Sequence, residues 1–152
     1  MKRIVLISCV SKKLNHKTKA RDLYISPLFK LNLRYAKSLN PDKIFILSAK
    51  YGLVDLDEEI EPYDLTLNKM SSNEIRSWAE KAIGDLKNVS NLQEDEFIFL
   101  AGEKYREYLI PQIKNYKAPL KSLGIGKQLK FLTEKTKWVK NVKSYTNYLI
   151  TL

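Results

Sequence analysis

The chain has very few of the residues on which several common kinds of functional site depend. Its 152 residues include one cysteine, Cys9, and one histidine, His16. A single cysteine excludes an internal disulfide and is typical of a reducing compartment, so we expect the protein in the cytoplasm. With one histidine, a His–Cys zinc site is not expected. We therefore predict no metal site, and we expect His16 on the surface in the loop before the first helix.

Long apolar runs and glycine-rich nucleotide motifs are also missing. No run approaches the roughly 20 apolar residues that span a bilayer, so no membrane partner is expected. The short apolar run at the start is followed by Lys12 and Lys13, which indicates a first strand rather than a targeting segment. There is no Gly-x-Gly-x-x-Gly motif. The segment SLGIGKQL does not complete the phosphate-loop motif Gly-x-x-x-x-Gly-Lys-Ser/Thr. Lys121, just before it, stands where the motif has its first glycine, and Gln128 stands where the motif has serine or threonine.

Positive charge, in contrast, is abundant. Lysine and arginine total 27 against 17 acidic residues, a net charge of +10. Such a balance favours partners that carry phosphate, chiefly nucleic acid, although a generally lysine-rich surface is an equal alternative. The segment KFLTEKTKWVKNVKSY interleaves lysines with aromatic residues, a pattern that suits a nucleic-acid surface. It predicts nucleic-acid contacts at Lys137, Lys140 and Lys143. The alternative is a core helix, because a helical spacing such as that of Trp138, Val142, Tyr145 and Leu149 more often indicates core.

Three nearly continuous apolar runs predict buried strands at residues 3–10, 43–49 and 96–101. Helical patterns lie between and after them. One covers residues 26–39, with Ser26 as N-cap and Pro27 at the first helical position. The next covers residues 71–88, where Ser71 and Glu74 have the spacing of a capping box. A third covers residues 103–114, distorted or ended near Pro111, and a fourth starts around Ile125.

This alternation of strands and helices predicts one α/β domain over residues 1–152 with a basic C-terminal segment. The expected architecture has three layers, a mostly parallel sheet flanked by helices. It is Rossmann-like without a dinucleotide motif. In such sheets ligands bind beyond the carboxyl ends of the strands. The segments SCVSKK, SAKYG and AGEKY each follow a predicted strand, so we expect these loops to gather at one edge.

The loops contain groups that could bind an anion or react. Hydroxyl and ammonium groups after the first strand can hold a phosphate or carboxylate. Cys9 is either a small buried residue or a nucleophile activated by nearby lysines. Lys50 could neutralise an anion or act as a base, and Gly52 permits a positive φ. Of the acidic loop that follows, the segment around Pro62 and Tyr63 is the most constrained part.

Several motifs occur together in a recognisable order. They are ISCVSKKL, YISPLF, ILSAKYGLVDLDEEIEPYDLTL, LAGEKYREYL and PLKSLGIGKQLKFL. The set resembles a family of small bacterial, archaeal and phage proteins of unknown function over almost the whole chain. More distantly it is similar to the YaaA peroxide-stress proteins, through the Ser/Lys loop, Tyr-Gly-Leu, Ile-x-Pro-Tyr and Leu-Ala-x-x-x-Tyr. YaaA proteins are associated with DNA binding through a helix-hairpin-helix element, which this sequence lacks.

The strand ends and the resemblance together predict a site. Its candidate catalytic residues are Lys12, Lys50, Tyr51 and Tyr63. Its candidate ligand-binding residues are Ser8, Ser11, Ser48, Gly52, Pro62, Gly102, Tyr105, Gly126 and Gln128. We hypothesise an enzyme acting on a nucleotide, nucleoside or nucleic-acid base, with no cofactor identified. The alternative is a non-catalytic nucleic-acid-binding protein of stress response or defence. A plain scaffold is a third reading.

Overall fold

The fold is built on a central five-stranded sheet, seen in a computed structural model that describes residues 1–137. The strands are β1 (Arg3–Ser8), β2 (Thr18–Lys19), β3 (Lys43–Ser48), β4 (Gly52–Asp55), β5 (Glu59–Ile60), β6 (Glu96–Leu100) and β7 (Asn115–Lys117). The helices are α1 (Ala20–Leu23), α2 (Pro27–Ser38), α3 (Ser72–Val89), α4 (Glu103–Arg106) and α5 (Ile125–Lys135). Two short 3₁₀ turns cover Leu67–Lys69 and Ile110–Gln112.

The central sheet is mostly parallel, as the sequence predicts. Its strand order is β4-β3-β1-β6-β7, with β1, β3, β6 and β7 parallel and β4 antiparallel to β3. The apolar run of β1 is fully buried from Ile4 to Ile7, which is the environment such runs require. Strands β2 and β5 form a separate antiparallel pair. The α/β class is thereby confirmed.

The chain crosses the sheet in both directions. From β1 it passes through α2 to β3 on one side, and from β3 it passes through α3 to β6 on the other side of β1. Because parallel crossovers are right-handed, these opposite directions put α2 and α3 on opposite faces of the sheet. Helix α5 packs beside α2, and α3 packs against β4.

Both long helices begin as their sequences predict. In α2 the backbone N–H of Phe29 donates to Ser26 Oγ at 3.1 Å, with Pro27 at the first position. In α3 Ser71 and Glu74 form a complete capping box, each side chain accepting from the other's backbone N–H at 3.2 Å. These bonds satisfy N–H groups that a helix start otherwise leaves unpaired.

The third predicted helix, over residues 103–114, is wrong over most of its length. Only α4 is helical, and the chain then turns through Ile110–Gln112 into β7. Pro111 lies inside that turn, where it has no backbone N–H to continue a helix and restricts the residue before it. The exposed edge strand β7 has no apolar run, so the sequence does not predict it.

Other sequence predictions concern the surface and the C-terminal segment. His16 is exposed, as predicted. Within residues 1–137 no helix has the length and apolarity needed to cross a bilayer. Lys137 is exposed, whereas Lys140 and Lys143 lie outside the described residues.

Candidate functional site

The strand order creates a crevice between β1 and β6. These neighbours leave the sheet in opposite directions, since β1 leads to β3 on one side and β6 to β7 on the other. In open α/β sheets this arrangement opens a crevice at the carboxyl ends of the two strands, where ligands bind. The loops involved begin at Cys9 and Ala101, directly after β1 and β6.

A cavity of about 410 Å³, here called the Gln128 cleft, occupies this crevice. Leu28, Leu100 and Leu120 supply apolar wall, and Gln128 comes from α5. The Gln128 side chain is held in place because its Nε2 donates to the carbonyl oxygen of Leu123 at 2.8 Å. The other lining residues are Ser8, Cys9, Val10, Asn32, Asn68, Ala101, Gly102, Glu103, Lys104, Tyr105 and Ile125.

A second cavity of about 520 Å³, here called the Lys13 cleft, shares part of this lining. Its own residues come from the loop after β1 and from the segment before α3. They are Ser11, Lys13, Asp64, Leu65, Thr66 and Lys69. The lining common to both clefts consists of Cys9, Val10, Asn68, Tyr105 and Ile125. Each volume lies in the range of roughly 300–1,000 Å³ that is typical of small-molecule sites.

Cys9 and Tyr105 lie where the two clefts meet. Cys9 Sγ is 3.3 Å from the Tyr105 hydroxyl oxygen, and the backbone N–H of Leu67 donates to that oxygen at 3.4 Å. Trp78 packs edge-on against the Tyr105 ring, with the ring centroids 5.6 Å apart. Burial, and then the neighbouring Cys9, raise the pKa of Tyr105, so its hydroxyl stays protonated at neutral pH.

Lys13 is the half-buried cation of the site. Its loop is fixed against the segment before α2, because Ile25 N–H donates to the Lys12 carbonyl and Leu14 N–H donates to that of Leu23. Lys13 Nζ lies 4.3 Å from the centroid of the Tyr63 ring. Burial lowers the pKa of Lys13, although Cys9 and Asp64 oppose this effect. A lysine in such surroundings has more of its neutral, reactive amine at a given pH.

Beside the Lys13 cleft, hydroxyl groups form a chain across the end of β3. Ser48 Oγ donates to the Tyr63 hydroxyl at 2.8 Å, and that hydroxyl lies 2.6 Å from the hydroxyl of Tyr24. The backbone N–H groups of Lys50 and Tyr51 donate to Ser48 Oγ. Burial raises the pKa of both Tyr24 and Tyr63. These hydroxyls are therefore neutral at ordinary pH, and they fix the Tyr63 ring beneath Lys13.

The structure brings many of the sequence-predicted residues together. Ser8, Gly102, Tyr105 and Gln128 line the Gln128 cleft, and Ser11 lines the Lys13 cleft. Three further predicted residues, Ser48, Tyr51 and Tyr63, contact one another at the end of β3. The Tyr51 and Tyr63 rings meet edge-on at 5.5 Å, and the Tyr51 hydroxyl donates to the Glu61 carbonyl. Their roles in binding or catalysis stay predictions.

The remaining predicted residues lie away from the cleft walls. Lys12 and Lys50 are exposed and line neither cleft, and Lys50 Nζ lies 5.3 Å from the Tyr51 ring centroid. Pro62 is half-buried next to Tyr63, and Gly126 is exposed in the first turn of α5; neither residue is part of a cleft lining.

Gly52 has the positive φ that the sequence predicts, at 77°. A Cβ there would stand 2.9 Å from Lys81 Nζ, which donates to the Tyr51 carbonyl at 2.9 Å. The lysine tip can move aside, so it is the positive φ of the turn into β4 that favours glycine here.

Several residues of the site are not among the candidate site residues predicted from the sequence, among them Lys13, Tyr24 and Asn32. Lys13 adjoins the predicted Lys12, but only the pairing of its loop shows which of the two lysines faces inward. Asn32 carried a detectable signal, because an amide interrupts the apolar face of α2 between Phe29 and Ala36. Tyr24 carried none. Within residues 1–137 no group of three or more His, Cys, Asp or Glu side chains could hold a metal ion.

Comparison with known proteins gives one match. A protein-family model described as a family of unknown function (DUF6884) matches residues 4–134, which includes β1 from Ile4 onward, β2 to β7, both clefts and nearly all of α5. No curated protein and no solved structure matches the chain significantly. None of these comparisons links the chain to the YaaA proteins, so that resemblance stays a prediction.

Proposed function

The chain belongs to this family of unknown function, and we propose that it binds a nucleotide, nucleoside or nucleic-acid base in the joined Gln128 and Lys13 clefts and acts on it as an enzyme. The observation that carries the proposal is the position of these clefts. They adjoin the carboxyl ends of β1 and β6, where the strand order reverses and where α/β proteins bind their ligands.

The charges around the clefts favour an anionic ligand. Lys13, Lys69 and Lys104 are part of the lining, against the carboxylates of Asp64 and Glu103. The whole chain carries a net charge of +10, which attracts phosphate-bearing molecules over a longer range. A phosphate beside Lys13 would keep that amine protonated, whereas a neutral base or sugar would leave it free to react.

Two groups in the clefts are suited to covalent or proton-transfer chemistry. The Lys13 amine has a lowered pKa, as a lysine that acts as base or nucleophile requires. The Cys9 thiol, at 3.3 Å from the Tyr105 hydroxyl, is the alternative nucleophile. Tyr51 or Tyr63 would stack on a base or donate a proton, and Lys12 or Lys50 would neutralise phosphate or serve as base or nucleophile.

The test is a calorimetric titration of the four nucleoside 5′-monophosphates and inorganic phosphate into three proteins. They are the wild type, Lys13→Ala and Lys43→Ala. Lys43 is an exposed lysine at the amino end of β3, whereas the clefts adjoin the carboxyl ends of the strands. The Lys43→Ala variant therefore controls for the loss of one positive charge. We expect Lys13→Ala to weaken binding about tenfold or more, equivalent to about 1.4 kcal/mol, and Lys43→Ala to leave it unchanged. Absence of binding to the wild type, or equal losses in both variants, would contradict the proposal.

A second candidate function is non-catalytic binding of nucleic acid, as in the YaaA resemblance. It is favoured by the net charge of +10 and by Lys137, which is exposed after α5. Here the basic segment that includes Lys140 and Lys143 would bind the phosphate backbone. Salt dependence distinguishes this function, because affinity falls more steeply with salt when the protein neutralises more phosphates.

A further inference from the structure

An asparagine occupies a core position on α2. The buried residues of this helix are Phe29, Asn32 and Ala36, which lie on the face that packs toward the sheet. Asn32 is only 4% exposed. The spacing of three and then four residues is the spacing of an apolar helix face, so an amide at this position needs a specific reason.

The amide oxygen of Asn32 has no partner within residues 1–137. Its Oδ1 is fully buried and accepts no hydrogen bond from any described group. A buried acceptor without a donor lowers stability, and such groups are rare in folded proteins. By contrast, Thr136 is equally buried, but its hydroxyl donates to the Leu132 carbonyl at 2.7 Å. Within residues 1–137 the fold therefore supplies no hydrogen-bond donor to the Asn32 oxygen.

The unpaired amide belongs to the wall of the Gln128 cleft. Around it the cleft combines apolar wall from Leu28, Leu100 and Leu120 with the polar groups of Ser8 and Gln128. A mostly apolar cavity with a few polar groups is the usual form of a small-molecule site, in which the polar groups fix the orientation of the ligand. Inorganic phosphate, whose oxygens are mainly acceptors, would gain little from the unpaired acceptor oxygen of Asn32.

We propose that Asn32 is a specificity-determining residue that accepts a hydrogen bond from an N–H group of the bound ligand, such as the amino or ring N–H group of a nucleobase. The inference rests on the proposed function and deepens it. The base lies in the Gln128 cleft against Asn32, and the phosphate lies in the Lys13 cleft near Lys13. Because an unmet buried acceptor is costly, a base lacking the matching donor is rejected.

The experiment uses Asn32→Leu, which replaces the amide with an apolar side chain of similar size. The titrations with the four nucleoside monophosphates and inorganic phosphate are repeated on this variant. We expect the wild type to prefer some bases over others by tenfold or more. Asn32→Leu should bind all four alike, with its affinity for inorganic phosphate unchanged. A variant that keeps the base preference would overturn the role of Asn32 while leaving the proposed function standing.

Thermal unfolding without ligand supplies the second measurement. Because Oδ1 is unpaired in the free protein, Asn32→Leu should unfold at the same temperature as the wild type or higher. The matched control, Thr136→Val, removes a hydroxyl that is hydrogen-bonded and should unfold at a lower temperature. A fall for Asn32→Leu as large as the fall for Thr136→Val would mean that Asn32 is bonded within the fold, which overturns the inference. Failure of every nucleotide to bind the wild type would overturn the inference together with the proposed function.

Discussion

Individual residues of the site have two different tasks. Ser48 is structural, because its Oγ joins the turn after β3 to the Tyr63 hydroxyl while its carbonyl accepts from Trp78 Nε1 at 2.8 Å. Lys13 and Asn32, in contrast, line the clefts with polar groups whose burial is not fully offset. Burial lowers the pKa of Lys13, and the Asn32 Oδ1 atom has no hydrogen-bond partner within residues 1–137. Such uncompensated groups are enriched at functional sites.

The pKa of Lys13 can be tested directly. Its folded-state pKa lies below its usual value of 10.5, so at any pH near neutrality more of the amine is neutral than in the unfolded chain. By linkage, the stability lost by burying this amine grows as the pH falls from 10.5 to the folded-state pKa and is constant below that pKa. Trace acetylation followed by mass spectrometry, between about pH 7 and 11, should give a labelling midpoint for Lys13 below that value. The same measurement in denaturant is the control, and an identical midpoint in both states would refute the assignment.

Much of the residue-level site could be anticipated from the sequence, and the rest could not. Ser8, Ser11, Gly102 and Tyr105 follow strand ends, so knowledge of a parallel sheet was enough to bring them together. Asn32 comes from a helix and needs tertiary packing to reach the same cavity. The choice between neighbouring lysines depends on the backbone pairing of residues 12–14 with 23–25, which no local pattern reports.

Elements with strong local signals are predictable from the sequence, and elements defined by their partners are not. The capped helices α2 and α3 and the apolar strands β1, β3 and β6 agree with prediction to within about two residues. The segment after Arg106 resembles a helix because its apolar residues have the spacing of a helical face. They pack into the hydrophobic core from a turn and a 3₁₀ segment instead. Among the described residues strand β7 pairs only with β6, and it is exposed, so its sequence carries no burial pattern.

The capping box of α3 gives a prediction at this scale. Ser71→Ala removes the side chain that accepts from Glu74 N–H, leaving a helix-start donor without its partner. We expect the free energy of unfolding to fall by about 1 kcal/mol, measured by urea denaturation. Ser72→Ala changes the adjacent first helical residue, which is not the cap, and should have little effect. Equal losses in the two variants would show that the cap bond contributes nothing specific.

At the scale of the whole molecule, the order of the strands determines where the site lies. The reversal at β1 and β6 opens the crevice, and the apolar core fixes the strands that form it. Net charge acts on a longer range and is independent of the fold. The net charge of +10 is therefore compatible with both proposed functions: binding of a small phosphate-bearing ligand in the clefts and binding of nucleic acid along the basic C-terminal segment.

The basic segment can be tested separately from the clefts. If it binds nucleic acid, replacing Lys137, Lys140 and Lys143 by alanine should weaken binding to labelled tRNA or duplex DNA and should flatten its dependence on salt. Fluorescence anisotropy at low and near-physiological salt measures both effects. A matched variant removes three exposed lysines elsewhere, Lys43, Lys114 and Lys121. Equal effects of the two triple variants would mean that charge alone, not the segment, attracts nucleic acid.

The most direct test of the central claim, that the joined clefts are the binding site, is chemical-shift mapping by NMR. The isotope-labelled protein is titrated with each nucleoside monophosphate, and the backbone resonances that move are located in the fold. We predict that the largest changes occur at Cys9, Lys13, Asn32 and Tyr105, which surround the two clefts. Chemical-shift changes confined to the amino end of β3, around Asp42 and Lys43, would contradict this claim, and so would the absence of any change.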